Sequence, residues 1–477
     1  MKKTPITRLG EASRREFLKR GAAASIVGGA APWALNLAAI GEAAAQSATD
    51  YKALVCVFLF GGNDHDNTLV PYDAATHTDY ATRRGSLAIA RSLLDSTVLQ
   101  PTVPLPNGRQ FALGLYPGVQ SGDPPRGLLP LKTLFDAGAM VPLLNVGPLM
   151  QPTSKAQYSA RSVPLPPKLF SHNDQQSVWQ ASLPEGATSG WGGRMGDLFM
   201  AGNGQATFTA ISVSGNAVYL SGRDVVQYQV SSSGSVPING IGSSLYGSSA
   251  AAQALRTLIT TAPGSNAMQQ AHVAVTQRSI AADSTLRSAL ASSPPPATVF
   301  PTTGLGRQLS MVTKIIAARA ALGARRQVFF VSIGGFDNHD SLLANHPGLL
   351  TQVADAMAAF YQSTVDMGIA SQVTTFTASD FGRTLSSNGD GSDHGWGGHH
   401  FVVGGAVRGR SIIGTPPQLG DNGPDDVGQG RLLPTIAVDQ LAATLATWMG
   451  VGTGNLSTVV PGIDKFDPAQ RNLGLFA

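Results

Sequence analysis

The stretch from Ser379 to Gly405, SDFGRTLSSNGDGSDHGWGGHHFVVGG, gathers three carboxylates (Asp380, Asp390, Asp393) and three imidazoles (His394, His399, His400). Three of the chain's 9 histidines in one segment is more than a solvated turn requires. Carboxylate and imidazole are the common metal ligands and acid–base groups near neutral pH. Asp390, within Asn388-Gly389-Asp390-Gly391, is more simply a turn residue. Two other segments repeat the theme: Gly61-Gly62-Asn63-Asp64 and Gly334-Gly335-Phe336-Asp337-Asn338-His339 each set a glycine pair before a carboxylate. Asp337 and His339, two residues apart, can both reach one ion. Such mixed donors suit zinc, or manganese, iron or calcium where carboxylates and water dominate. One or two divalent ions would then clamp an in-line displacement at phosphorus or sulfur.

Two hydroxyls and one guanidinium complete the candidates. Ser171, in SHNDQQ, reads as a helix N-cap with Asp174 three residues on. The free N–H groups of a helix start also favour a phosphoryl or sulfuryl group. Thr68, on the Asp64 turn, is the alternative nucleophile, and is read equally well as the β-branched start of a strand at Leu69-Val70. Arg383 offers a bidentate fork to an anion, or a plain ion pair.

The elements that must position these groups are short apolar runs. ALVCVFLF (residues 53–60), the run from Met140 to Gly147, QVFFVSI (327–333) and VTTFT (373–377) read as buried strands. Three of them end at Asp64, Asp337 and Asp380. In open α/β sheets the rim beyond strand C-termini is where ligand sites sit. Phe401-Val402-Val403 reads as the return strand, which leaves His394, His399 and His400 on the connecting loop. Helices are expected over 305–322, 342–368 and Val438–Met449. The middle carries short strands (209–213, 217–220, 226–230) and helical stretches from Ser244 to Leu290, broken near Pro263. Residues 202–301 therefore read as an insertion or cap within an α/β domain spanning 46–477.

The first 45 residues read as an export signal. Ser13-Arg14-Arg15-Glu16-Phe17-Leu18-Lys19 is a twin-arginine pattern, an apolar segment runs from Gly21 to Ile40, and Ala43-Ala44-Ala45 precedes Gln46 as a cleavage signature. Cleavage near Ala45/Gln46 predicts a periplasmic or secreted protein, handled by the twin-arginine machinery and without a stable membrane anchor. It also removes 7 of 33 basic and 3 of 29 acidic residues, so the remainder is neutral. The pI of 9.2 thus belongs largely to the signal and implies no nucleic-acid partner. Cys56, alone in the chain, reads as a small core residue.

In order behind that signal, GGNDHDNTLVPY, SHNDQQ, VSIGGFDNHD, SDFGRT and DHGWGG resemble the bacterial domain-of-unknown-function family fifteen-oh-one. That family is grouped with the alkaline phosphatase and sulfatase superfamily. The resemblance implies a doubly wound, mostly parallel α/β sheet with metals at the strand C-termini. It implies that Asp64 matches the first metal-binding Asp, Asp337 and His339 the Asp/His pair of one ion, and Asp380 the Asp of the other. His394 would match the late histidine, with His399 or His400 as substitutes; Ser171 is similar in placement to the nucleophile. Phe381 stands where the superfamily usually has His, and the Asp337–His339 spacing is shorter than usual. These features imply an exported metal-dependent hydrolase of small anionic phosphate or sulfate esters. The departures open a second reading, a non-catalytic metal- or partner-binding envelope protein.

Overall fold

The computed structural model describes residues 50–261, 266–418 and 423–477. The expected signal and the break near Pro263 lie outside the described residues. ALVCVFLF is the central strand β1 (Lys52–Leu59). The other strands that matter are β2 (Met140–Gly147), β3 (Ala210–Ser212), β4 (Tyr228–Ser231), β5 (Gly234–Ser235), β6 (Arg326–Ile333), β7 (Val373–Ser379), β8 (Arg383–Ser387), β9 (Ser392–His394), β10 (Gly398–Gly404) and β11 (Ile436–Ala437). Among the described residues they form one large sheet, ordered β11-β2-β10-β7-β1-β6-β3-β4-β5, with β8 and β9 as a separate hairpin. β1 pairs in parallel with β6 and β7. β10 runs against both β7 and β2. The sheet is therefore mostly parallel and the class mixed α/β.

Alternation along β1 shows why its sequence is apolar throughout. Ala53, Val55, Val57 and Leu59 join one core, while Leu54, Cys56 and Phe58 join the other. Successive side chains point to opposite faces, so a strand covered on both sides reads as an unbroken apolar run. The relevant helices are α1 (Ala74–Arg84), α2 (His172–Ala181), α3 (Trp191–Phe199), α4 (Gly304–Ala317), α5 (Leu342–Asp366) and α6 (Val438–Met449). Helices α4 and α5 feed the first core, and α3 and α6 the second.

Local expectations change at residues 218–220 and at His399 and His400. Residues 218–220 form a 3-10 turn rather than a strand. There the backbone passes so close to Gly190 and Gly193 that no side chain fits, and Tyr219 packs edge-on against Trp191. Residues 202–301 supply β3, β4 and β5 to one edge of the sheet, then two helices, Ser249–Thr260 and Ala267–Ser292. Leu286 and Ala289 of the second helix are buried in the first core. His399 and His400 lie inside strand β10 and not on the loop before it. Among the described residues no helix is long and apolar enough to cross a membrane.

Candidate metal centre

Three strand ends, a hairpin and one helix start deliver the site. Past β1, Gly61 adopts φ +114° and lies so close to Asp337 that any side chain would collide with it. Past β6 come Asp337 and His339. Past β7 come Asp380, Phe381 and the β8–β9 hairpin, which carries Arg383, Asp393 and His394. Across from them, the first turn of α2 presents His172.

His172, Asp337 and His394 form a group that could hold a metal ion, with donor atoms all within 4.8 Å of one another. Asp337 is its hub. Its Oδ2 stands 3.4 Å from His172 Nε2, and its Oδ1 stands 3.3 Å from His394 Nε2 and 3.2 Å from His339 Nε2. The Nε2 atoms of His339 and His394 are 2.9 Å apart. Each ring is held from behind through Nδ1. His172 Nδ1 meets Asp380 Oδ2 at 2.6 Å, His339 Nδ1 meets Asp393 Oδ1 at 3.2 Å, and His394 Nδ1 meets the Phe170 carbonyl at 2.8 Å. Phe381 lines the floor, its ring 4.9 Å from that of His172 and 4.6 Å from that of His394. Side-chain exposures of 25–44% leave the four residues open to solvent on one side.

The charges suit a cation. Burial alone would push Asp337 up, but the Arg383 hydrogen bond and the nearby charges hold it below the ordinary carboxylate range. The hydrogen bond to Asp380 raises His172. Burial lowers His394, against the pull of its bond to Phe170. Carboxylate and imidazole donors within such a radius match zinc chemistry.

The remaining predicted residues separate into a supporting shell and buried groups with partners of their own. Asp380, fully buried, accepts from Gly61 N–H and Gln176 Nε2 as well as His172, all at Oδ2. Arg383 is buried and its donors are committed to the Gly61 and Ser392 carbonyls and Asp337. Ser171 donates to Asp174 Oδ2 at 2.9 Å and makes no cap bond to the helix backbone. Thr68 is buried, donating to the Asp64 carbonyl at 2.7 Å. Asp64 is buried in an ion pair with Arg84. His399 accepts from Asn145 N–H, and His400 packs on Trp179 with Nδ1 near Thr377. The structure thus brings Asp337, His339 and His394 together, sets Asp380 and Asp393 behind them, and places Asp64, His399 and His400 elsewhere.

Spacing along the sequence does not single out His172. Its signal is helical: His172 and Gln176 are four apart on one face of α2, and both reach Asp380 Oδ2.

No curated protein matches the chain. Among solved structures, Ps i-CgsB in complex with k-i-k-neocarrahexaose is similar at 10% identity, with 88% of this chain and 78% of that chain covered and a TM-score of 0.34. A structure from work on metabolism of multiple glycosaminoglycans by Bacteroides thetaiotaomicron (BT33494S-sulf) is similar at 11% identity, 85% and 74% coverage and a TM-score of 0.34. Likenesses this distant carry no weight for activity. Residues 51–462 match the family model described as Protein of unknown function (DUF1501), and the chain belongs to that family.

Proposed function

We propose that this protein is an exported metal-dependent hydrolase of phosphate or sulfate esters, working at the His172–Asp337–His394 centre. The observation that carries this reading is the convergence of those donor atoms within 4.8 Å on a solvent-facing rim. A divalent ion, zinc first among the candidates, would supply Lewis acidity to an ester oxygen there. Ser171, next to His172 at the start of α2, is the candidate nucleophile: its hydroxyl already donates to Asp174, the arrangement by which a base takes the proton. The Lys168 and Arg161 side chains line a hollow on the segment leading into Ser171, which favours an anionic substrate. Membership of the alkaline phosphatase and sulfatase superfamily, twin-arginine export and a periplasmic location belong to the same proposal. They rest on the motif order and on the pattern around Arg14-Arg15.

A second reading, a metal-binding envelope protein without turnover, is favoured by Phe381, which puts an apolar ring against His172 and His394. The test is an assay of the metal-loaded protein on aryl sulfates and aryl phosphates. Hydrolysis lost in both Asp337→Ala and Ser171→Ala supports the hydrolase. A protein that holds metal yet turns over neither ester class supports the second reading.

A further inference from the structure

We propose that three acceptors, Asp380, Asp393 and the Phe170 carbonyl, fix the tautomers of His172, His339 and His394, so that three Nε2 lone pairs and Asp337 face a single ion. Asp380 and Asp393 are then positioning residues and not ligands, and His339 is the fourth ligand. The inference rests on the reading of this cluster as a metal centre and is independent of turnover.

A backbone carbonyl can only accept, so His394 Nδ1 must carry the hydrogen in its 2.8 Å bond to Phe170. An ionised carboxylate likewise only accepts, which assigns the Nδ1 hydrogen in His172 and His339. A neutral imidazole has one N–H, so each Nε2 is left as a lone pair. All three Nε2 atoms lie 3.2–3.4 Å from the carboxylate oxygens of Asp337. Between His339 and His394 two such nitrogens stand 2.9 Å apart. Two bare lone pairs at that separation repel, and a shared cation relieves the repulsion.

The carboxylate oxygens that hold the rings are already occupied. Asp380 Oδ2 accepts three N–H groups, from His172, Gln176 and Gly61. Asp393 Oδ1 accepts from His339 and Asn388 Nδ2. Metal-bound histidines are commonly oriented in this way through the nitrogen remote from the ion. Asp380 Oδ1 is buried without a partner, and it is the atom a second ion would use.

The test reads tautomers and stoichiometry. In the metal-free full chain with ¹⁵N-labelled histidine, at a pH alkaline enough to neutralise the rings, His172, His339 and His394 should appear as the Nδ1–H form, the minor form of free imidazole. Titration with zinc alone should saturate at one equivalent. Asp380→Asn, whose amide oxygen still accepts, should keep the His172 tautomer and most of the affinity. Asp380→Ala should release the tautomer and weaken zinc about 10–100-fold, still at one equivalent. An Nε2–H form of His172 in the unsubstituted protein would overturn the inference. So would no zinc binding, or two equivalents falling to one in Asp380→Asn or Asp380→Ala. If Asp380→Ala does not fold, the unsubstituted protein and Asp380→Asn decide. One ion, the stated tautomers and no ester hydrolysis would leave this inference standing and remove the hydrolase.

Discussion

His339 Nε2 and His394 Nε2 stand 2.9 Å apart, and each lies within 3.3 Å of Asp337 Oδ1. Two imidazoles and a carboxylate facing inward on an exposed rim form an arrangement that a cation completes. Around it the shell is dense: Arg383 braces Asp337, and Asp380 and Asp393 brace two of the rings.

Asp64 and Arg84 are both fully buried and paired. Removing one partner of such a pair strands the other charge away from water, at a cost of about 3–5 kcal/mol. Asp64→Ala should therefore lower stability to urea by about that amount while leaving metal stoichiometry unchanged. Loss of an ion in a variant that is still folded would instead make Asp64 a ligand.

Acid should destabilise the metal-free protein. Burial pushes His65, His346 and His400 down to about 3 and lowers His399 well below its ordinary value. Once unfolded, these rings take up protons below about pH 6.5, whereas the folded ones stay neutral, so stability is lost as pH falls through that value. Asp66 and Asp439 act oppositely: burial raises them to about 8 and about 6, so they stay protonated in the folded state where the unfolded chain ionises. Four imidazoles against two carboxyls leave a net of about two protons, or roughly 2–3 kcal/mol per pH unit near pH 5.5. Urea midpoints at pH 7 and pH 5.5 measure it. A flat profile would mean that these rings are not held neutral.

Gly62 adopts φ +83°, and a Cβ there would run into the Phe381 ring. That ring in turn packs on His172 and His394. Gly62→Ala should thus cost stability by about 1–3 kcal/mol through strain and overpacking. It should weaken metal binding as well, because the displaced ring pushes two ligands. Normal affinity measured by zinc competition would show that Phe381 does not set their positions.

How much of this was legible follows from which interactions are local. The strands β1, β2, β6 and β7 were readable because burial on both faces leaves an unbroken apolar run. Asp337 and His339 stand out in the sequence because they follow a strand end, and His394 because it sits in a segment rich in histidine. His399 and His400, adjacent in sequence to the cluster, belong to a strand whose alternation turns neighbours to opposite faces. The pairing of Asp64 with Arg84 was not legible because Arg84 comes from a helix with no chemical motif of its own. His172 was invisible as a member of the cluster because its key contact, with Asp380, spans 208 residues of chain. Pairings at that distance are fixed by packing, which single-sequence periodicity does not encode.

The most direct test of the central claim is the metal content of the protein purified without chelators, beside His172→Ala and Asp337→Ala. The geometry predicts one equivalent of a divalent metal per chain, lost or sharply reduced in both variants while each remains folded. No metal in the unsubstituted protein, together with no binding of added zinc, manganese, iron or calcium, would contradict it; so would full metal content in both variants.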